Sequence, residues 1–369
     1  MIGRKLIAWA GHRGREAGIY LRRLGSRRRA KEIVFFPFGD RENVSSRDRV
    51  YVLGEELRRL GWGVTVVPKQ LELGQRRRVL RLVKPDILFI QKDYHPLNWP
   101  DLYEAKHKVF DLDDADFVDP KLHDQVVACC KRTELVICGN RYVADFCRKY
   151  NPNTHVVWNG AEARRRPTSP PSTRRPVVAW GSGDSNAYSY EREFLGDVMT
   201  LVTRATEVEF RVYGVRDRGA LEPFVLRMKQ NQVNLKLFPL QPFEQHLLSV
   251  QEAAVGVHPV GNNPFNLGKS FGKLSAYMMC DVPVVVHRKN DFPEFYEDGV
   301  NGMLAGDDVA EWAEKIVRIL RDPPLRDRLA NKAWESYAER LNGRVAAGKV
   351  DRLLNSLLSE TRSPEVVSI

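Results

Sequence analysis

Residues 263–286, NPFNLGKSFGKLSAYMMCDVPVVV, place Lys269 and Lys273 four positions apart where a helix is expected to begin, with Ser270 between them. A helix amino terminus presents unpaired N–H groups and a partial positive charge, so it attracts phosphate. Two ammonium groups on one helix face would extend that attraction to a diphosphate, with Ser270 as a further donor. The same spacing fits two charges on a solvated face, and spacing alone leaves both readings open. Asp113 and Asp114 close the strand VFDLDD, where a carboxylate could orient or deprotonate an acceptor hydroxyl, or cap the next helix. His95, in KDYHPL, is a second base candidate at a strand end, with a structural role as the alternative. His258, ahead of Pro259 on an apolar strand, reads as structural. In the loop GDRENVSSRDR, Ser46 and Arg47 fit a phosphate or acceptor contact; a serine helix cap beside solvated arginines fits equally well.

The elements that must position these residues follow from hydrophobic periodicity. EIVFFP, GVTVVP, DILFIQ, KVFDLD, ELVICGN and THVVWNG read as strands. Helical patterns separate several of them, with Val50, Leu53, Leu57 and Leu60 on one face and RRRVLRLV on another. Residues 164–176 are rich in proline and arginine without periodicity, which predicts a linker. The alternation then restarts at VVAWGSGDSN and continues through EFRVYG, VNLKLFP, AAVGVHP and VPVVVH. Phe194, Val198, Leu201 and Val202 share a helical face, as do Trp312, Ala313, Ile316 and Leu320. Strand–helix alternation of this kind predicts an α/β fold with two doubly wound, Rossmann-like domains facing across a cleft.

Composition narrows the class. The chain has 369 residues, 43% of them hydrophobic and 28% charged, with no apolar run near the length of a membrane span. Its five cysteines show no CxxC pair, which argues against a zinc site and for reduced thiols in a cytoplasmic protein. The net charge of +11 is localised: residues 1–31 hold ten Lys or Arg against one Glu, and the remainder is near balance. A protein tracking DNA along a face spreads its basic residues over a domain. A basic arm carrying Leu6, Trp9, Ile19, Tyr20 and Leu21 suits an anionic membrane surface, although its glycines weaken the expectation of a regular helix there.

The motifs, taken in order, resemble the retaining glycosyltransferases of the GT-B architecture called group one or family four. KSFGKLSAYMMCDVPVVV is similar to that family's lysine, helix and "EYMA.G.PVV" stretch, and DFPEFYEDGVNGMLAGDD to the segment near its donor sugar. VVAWGSGDSNAY resembles the opening of its second domain, and THVVWNGAE the close of its first. The resemblance implies that Lys269 and Lys273 hold the diphosphate of a nucleotide sugar, with Ser270 nearby. It places Ser182 and Gly183 at the donor phosphates, Tyr213 and Gly214 at the base, and Asp291, Phe292, Pro293 and Glu294 near the donor sugar. No metal and no cofactor beyond the nucleoside diphosphate sugar is implied. In one respect the chain departs from the family: the two glutamates it usually carries with seven residues between them align with Gly268 and Ala276.

The expected organisation is a basic arm (1–31), an acceptor domain (32–163), the linker (164–176), a nucleotide-sugar domain (177–342) and a tail (343–369) that could cross back to the first domain. The expected activity is transfer of a hexose from a nucleoside diphosphate sugar to an acceptor hydroxyl with retention. The basic arm favours a lipid-linked or envelope-glycan acceptor at the inner membrane face. The alternatives are a DNA-base glycosyltransferase and a non-catalytic GT-B scaffold, the latter permitted by Gly268 and Ala276.

Overall fold

Short runs of Val, Ile, Leu and Phe form twelve strands in two parallel sheets of the computed structural model, which describes residues 14–21 and 29–360. The chain divides into two units, residues 1–162 with 342–369, and residues 163–341. The first unit runs α1 (residues 14–21), β1 (Glu32–Phe36), α2 (Val44–Ser46), a π-helical segment (Arg47–Val52), α3 (Leu53–Arg59), β2 (Gly63–Val66), α4 (Leu73–Val83) and β3 (Ile87–Gln91). It continues through β4 (His107–Leu112), α5 (Pro120–Lys131), β5 (Leu135–Cys138), α6 (Arg141–Cys147) and β6 (Thr154–Val156). Its sheet order is β2-β1-β3-β4-β5-β6. Ile33, Phe35, Ile87 and Phe89 pack into the core on one face of this sheet, and Val34, Phe36, Leu88 and Ile90 into that on the other. Helices cover both faces, which is why these strands read as unbroken apolar runs rather than as alternation.

The second unit contains β7 (Val177–Trp180), α7 (Ser189–Ala205), β8 (Glu209–Val215), α8 (Glu222–Gln230), β9 (Asn234–Pro239), α9 (Phe243–Val250) and β10 (Val255–His258). After these come α10 (Pro264–Leu267), α11 (Gly272–Met279), β11 (Val284–His287), α12 (Phe292–Phe295), β12 (Met303–Ala305), α13 (Val309–Arg321) and α14 (Pro323–Arg340). Its sheet order is β12-β11-β10-β7-β8-β9, so the winding reverses between β7 and β10. Ligands of such sheets bind beyond the strand carboxyl ends at that reversal. Tyr277 ties the two strands together there: its hydroxyl accepts from the Gly181 N–H at 2.8 Å and lies 3.0 Å from the Ala179 carbonyl and 3.3 Å from that of Val257. Its ring passes over Gly256, where a Cβ would come within 2.6 Å of it.

The last helix, α15 (Gly343–Glu360), belongs to the first unit. It buries Ala347, Val350 and Leu354 in the core that holds Phe35 and Phe89, and Asp351 accepts a 2.7 Å hydrogen bond from the Trp62 indole.

Two expectations need correction. Residues 164–176 do not form a free linker but line the second unit. Arg174 donates to the carbonyls of Ala253, Cys280 and Asp281, and the Ser172 N–H donates to Asp327. An arginine fork that satisfies several strand-end and helix-end carbonyls explains why a segment without periodicity is nevertheless fixed. Within the basic arm, residues 14–21 are a regular helix despite Gly14 and Gly18, because tertiary contacts override propensity. Ile19 is 3% exposed in the α4 core, and Glu16 accepts from Gln75 and Arg78 of α4. The rest of the arm, residues 1–13 and 22–28, and residues 361–369 of the tail lie outside the described residues. Among the described residues no helix is long and apolar enough to cross a membrane. All five cysteines are buried and free.

Candidate functional site

In the second unit the site is built on the loops after β7 and β10. Asn263 caps α10 by accepting from the Asn266 N–H at 2.8 Å, and the short helix ends at Leu267. Lys269 therefore lies in the break before α11 and only Lys273 is helical, which corrects the expectation of two lysines on one helix face. The two ammonium groups still converge. Lys273 Nζ sits 3.9 Å from the centroid of the Tyr188 ring; Lys269 Nζ lies 5.9 Å from the same ring and 4.0 Å from that of Phe265. Attraction to the ring faces, about 0.5–2 kcal/mol each, holds two like charges on one spot. The lysine loop is fixed from two sides. Glu191 of α7 accepts from the Gly261 N–H at 2.9 Å and from the Asn266 amide, while Asn290 donates to the carbonyls of Asn266 and Lys269. Trp180, Tyr188, Glu191, His258, Asn266, Lys269 and Lys273 line one narrow cavity.

His258 is the last residue of β10 and is 3% exposed. Burial, then the charges of Lys273 and Lys269 with His287 nearby, lower its pKa well below the ordinary histidine value, so the ring is neutral. His287 has a defined role, its Nδ1 accepting from the Val260 N–H at 2.7 Å and so fixing the turn after β10.

Ser182 is buried and its hydroxyl accepts from the Asp184 N–H, whereas Gly183 is exposed. Gly214 has φ of +80°, and a Cβ there would meet the Ser182 carbonyl oxygen at 1.9 Å. The loop after β7 thus presses directly on the end of β8. Tyr213 is buried, stacked on Phe238 with its hydroxyl donating to Ser249, so its ring belongs to the interior. Ser270 is half-buried beside Lys269. Pro293 is exposed on α12; Glu294 is half-buried there, its carbonyl accepting from Arg340 at 2.6 Å. Ala276 is 7% exposed within α11, and Gly268 is buried.

In the first unit the acidic strand end is a buried charge network. Lys92, just past β3 with φ of +52°, places its Nζ 3.0 Å from Asp113, 2.7 Å from Asp114 and 3.7 Å from Asp116. Burial opposes the ammonium charge, yet the three carboxylates override it and raise the Lys92 pKa well above its ordinary value. Asp113 is enclosed, accepting from Ser45 at 2.9 Å, whereas the Asp114 side chain keeps 22% of its surface open. Burial pushes Asp116 up to about 7 against the pull of Lys92, and Asp93 up to about 6. Neither Asp113 nor Asp114 caps a helix, since Asp119 caps α5.

The serine and arginine candidates are internal. Asn43, not a serine, caps α2 by accepting from the Ser46 N–H at 3.0 Å. Ser46 is fully buried, accepting from the Gly39 N–H and donating to Gln91. Arg47 is 3% exposed and lies 3.5 Å from Asp48; Arg49 forks onto buried Asp111. These arginines are therefore not solvated. His95 stands apart from the aspartates: its Nδ1 accepts from the Leu97 N–H, and its charged neighbours are Arg76 and Lys69. Burial, then Arg76, lowers its pKa. Sequence reasoning brought Lys269 with Lys273 and Asp113 with Asp114, but missed Lys92, Tyr188 and Glu191. Only Lys92 carried a signal, as a lysine directly after a buried strand.

Residues 182–322 match the family described as Glycosyl transferases group 1. No curated protein matches the chain by sequence. Among solved structures, HepE from Anabaena, in complex with UDP and glucose, shares 16% identity over 88% of this chain and 99% of its own, with a TM-score of 0.65. Sucrose-phosphate synthase from Thermosynechococcus elongatus shares 14% over 89% and 100%, with a TM-score of 0.65. TarM from S. aureus, in complex with UDP among other ligands, shares 16% over 77% and 59%, with a TM-score of 0.58. By fold the chain is a GT-B protein, and residues 182–322 of its second unit are similar to the group 1 glycosyl transferases.

Proposed function

We propose that the protein transfers a sugar from a nucleoside diphosphate sugar to an acceptor hydroxyl, with Lys269 and Lys273 gripping the diphosphate. The observation that carries this reading is the convergence of both ammonium groups on the Tyr188 ring at the reversal between β7 and β10. As the sugar leaves, negative charge grows on the departing phosphate oxygen. Two fixed cations beside it stabilise that charge without reorganisation. Retention by same-face attack needs no protein nucleophile. Ser182 and Gly183 would approach the phosphates, Gly214 would set the floor under them, and Pro293 and Glu294 would border the sugar. Bound UDP and UDP-glucose in HepE support a uridine nucleotide as the first donor to try.

Asp114 is the candidate to orient or deprotonate the acceptor, because its carboxylate alone of the Asp113–Asp114 pair is reachable and Lys92 holds it in place. A lipid-linked acceptor at an anionic surface is supported by the arm: α1 docks on α4, whose Arg77, Arg78 and Arg81 are exposed, and Leu21 at the end of α1 is exposed as well. Calorimetry of UDP, GDP, ADP and their sugars against the chain and a K269A/K273A variant tests the donor site. Binding of one series by the parent, weakened at least about a hundredfold in the variant, is the expected result. Equal binding by both chains would sink the assignment.

A further inference from the structure

His258 is polar and buried, and neither ring nitrogen has a hydrogen-bond partner among the described residues. A buried polar group left without a partner costs about 1–3 kcal/mol, so interiors seldom keep one idle. A purely structural histidine would be expected to use a nitrogen as His287 does. The ring is held in place instead by packing, with its centroid 5.5 Å from that of Phe292 at an interplanar angle of 64°.

Three features of its position converge. His258 ends β10, one of the two strands between which the winding of the sheet reverses. It lines the same cavity as Lys269 and Lys273. The groups packed around it that carry charge are those two lysines, with Glu191 across the cavity bound to Gly261 and Asn266. A neutral imidazole offers one N–H donor and one acceptor nitrogen. Beside two ammonium groups, the ligand atom suited to that donor is an anionic oxygen.

We propose that His258 is a third member of the anion site, donating a ring N–H to an oxygen of the nucleoside diphosphate held by Lys269 and Lys273. The inference rests on the donor-site reading given above. The division of labour is chemical. The lysines supply charge, which is indifferent to direction, and His258 supplies a directed donor without a third positive charge. That donor fixes how the diphosphate is turned, and the strand end fixes the donor.

The test separates a ligand contact from a packing role. H258F keeps an aromatic ring against Phe292 and removes both orphaned nitrogens, so its melting temperature should equal or exceed that of the parent. Its affinity for UDP, GDP or ADP, whichever binds the parent, should fall about tenfold or more, as expected for loss of a hydrogen bond to a charged group. Affinity within twofold of the parent would overturn the proposal. If H258F does not fold, the ring nitrogens of the parent carry the test by 15N-detected histidine NMR. Saturation with the nucleotide or with inorganic pyrophosphate should shift the resonances of one neutral, buried imidazole, and no such shift would overturn the proposal. Loss of binding in K269A/K273A with H258F unchanged refutes the histidine role and leaves the donor site standing. Binding unchanged in both variants, or no binding by the parent, refutes both.

Discussion

Replacing Lys92 by methionine keeps an unbranched side chain one atom shorter and removes one charge from the middle of the aspartate network. The Lys92 side chain is 5% exposed and faces three carboxylates within 3.7 Å. At an effective dielectric constant of about 20, each such contact contributes about 4–6 kcal/mol of attraction. Desolvation of the ammonium and repulsion among the carboxylates cancel much of this. Deleting one partner from a buried ionic cluster typically leaves a net loss of about 3–5 kcal/mol. The loss should depend on pH. Asp116 has a folded-state pKa raised to about 7, above the ordinary carboxylate value. An acid raised in this way contributes stability at low pH that is lost as pH rises through about 7. At pH 5 Asp116 is therefore protonated in the folded state and loses little when Lys92 goes. At pH 8 the parent holds it ionised against Lys92, and the variant must either bury an unpaired charge or protonate the carboxylate at a cost. Lys92 itself is raised from a pKa already above 10, so its own protonation is constant across this window. Hydrogen exchange of the β3 amides, corrected for intrinsic rates, reads the first unit alone. K92M should open more easily by about 3–5 kcal/mol at pH 8, and by clearly less at pH 5. Parent-like opening at pH 8, or a deficit equal at both pH values, would refute the reasoning.

Two further substitutions probe the second unit. In G214A the new methyl would sit 1.9 Å from the Ser182 carbonyl in a left-handed conformation; a stability loss of at least about 2 kcal/mol in urea and displacement of the Ser182–Gly183 loop, read as lost nucleotide affinity, are expected. Full affinity in a folded G214A would show that this loop does not touch the ligand. Y277F removes the acceptor of the buried Gly181 N–H and should cost about 1–3 kcal/mol in thermal unfolding, so an unchanged melting temperature would disprove the tie between β7 and β10.

How legible the molecule was depended on whether function or packing set the residue pattern. The strands around Phe35, Phe89 and Val285 read directly, because burial on both faces demands continuous apolar runs. The break between α10 and α11 did not, since Gly268 is compatible with either a helix end or a tight helix contact. Arg47, Arg49 and Arg174 read as solvated or as linker residues, yet all three are drawn inward. Local sequence is silent on the distant carboxylates and carbonyls that satisfy them, such as Asp111 for Arg49. Lys269 and Lys273 were visible as a pair, whereas Tyr188, which gathers them, lies some eighty residues earlier and carries no motif. His258 looked structural because it sits on a buried strand. Only three dimensions show that it ends that strand in the lysine cavity with its nitrogens unused.

The return of α15 to the first unit has a consequence for the order in which the protein is made. The second unit is one continuous stretch, residues 163–341, and can complete its own core as soon as that stretch has emerged. The first unit cannot. One face of its sheet waits for Ala347, Val350 and Leu354, which are synthesised after the whole of the second unit. At about 5–20 residues per second, the delay between residue 162 and α15 is roughly 10 to 35 seconds. During that interval Ile33, Phe35, Ile87 and Phe89 lie in a core that Val50, Leu53 and Leu57 already share but that α15 has yet to complete. The unit begun first is therefore finished last, and the part of its core that awaits α15 is the surface a nascent-chain chaperone would meet.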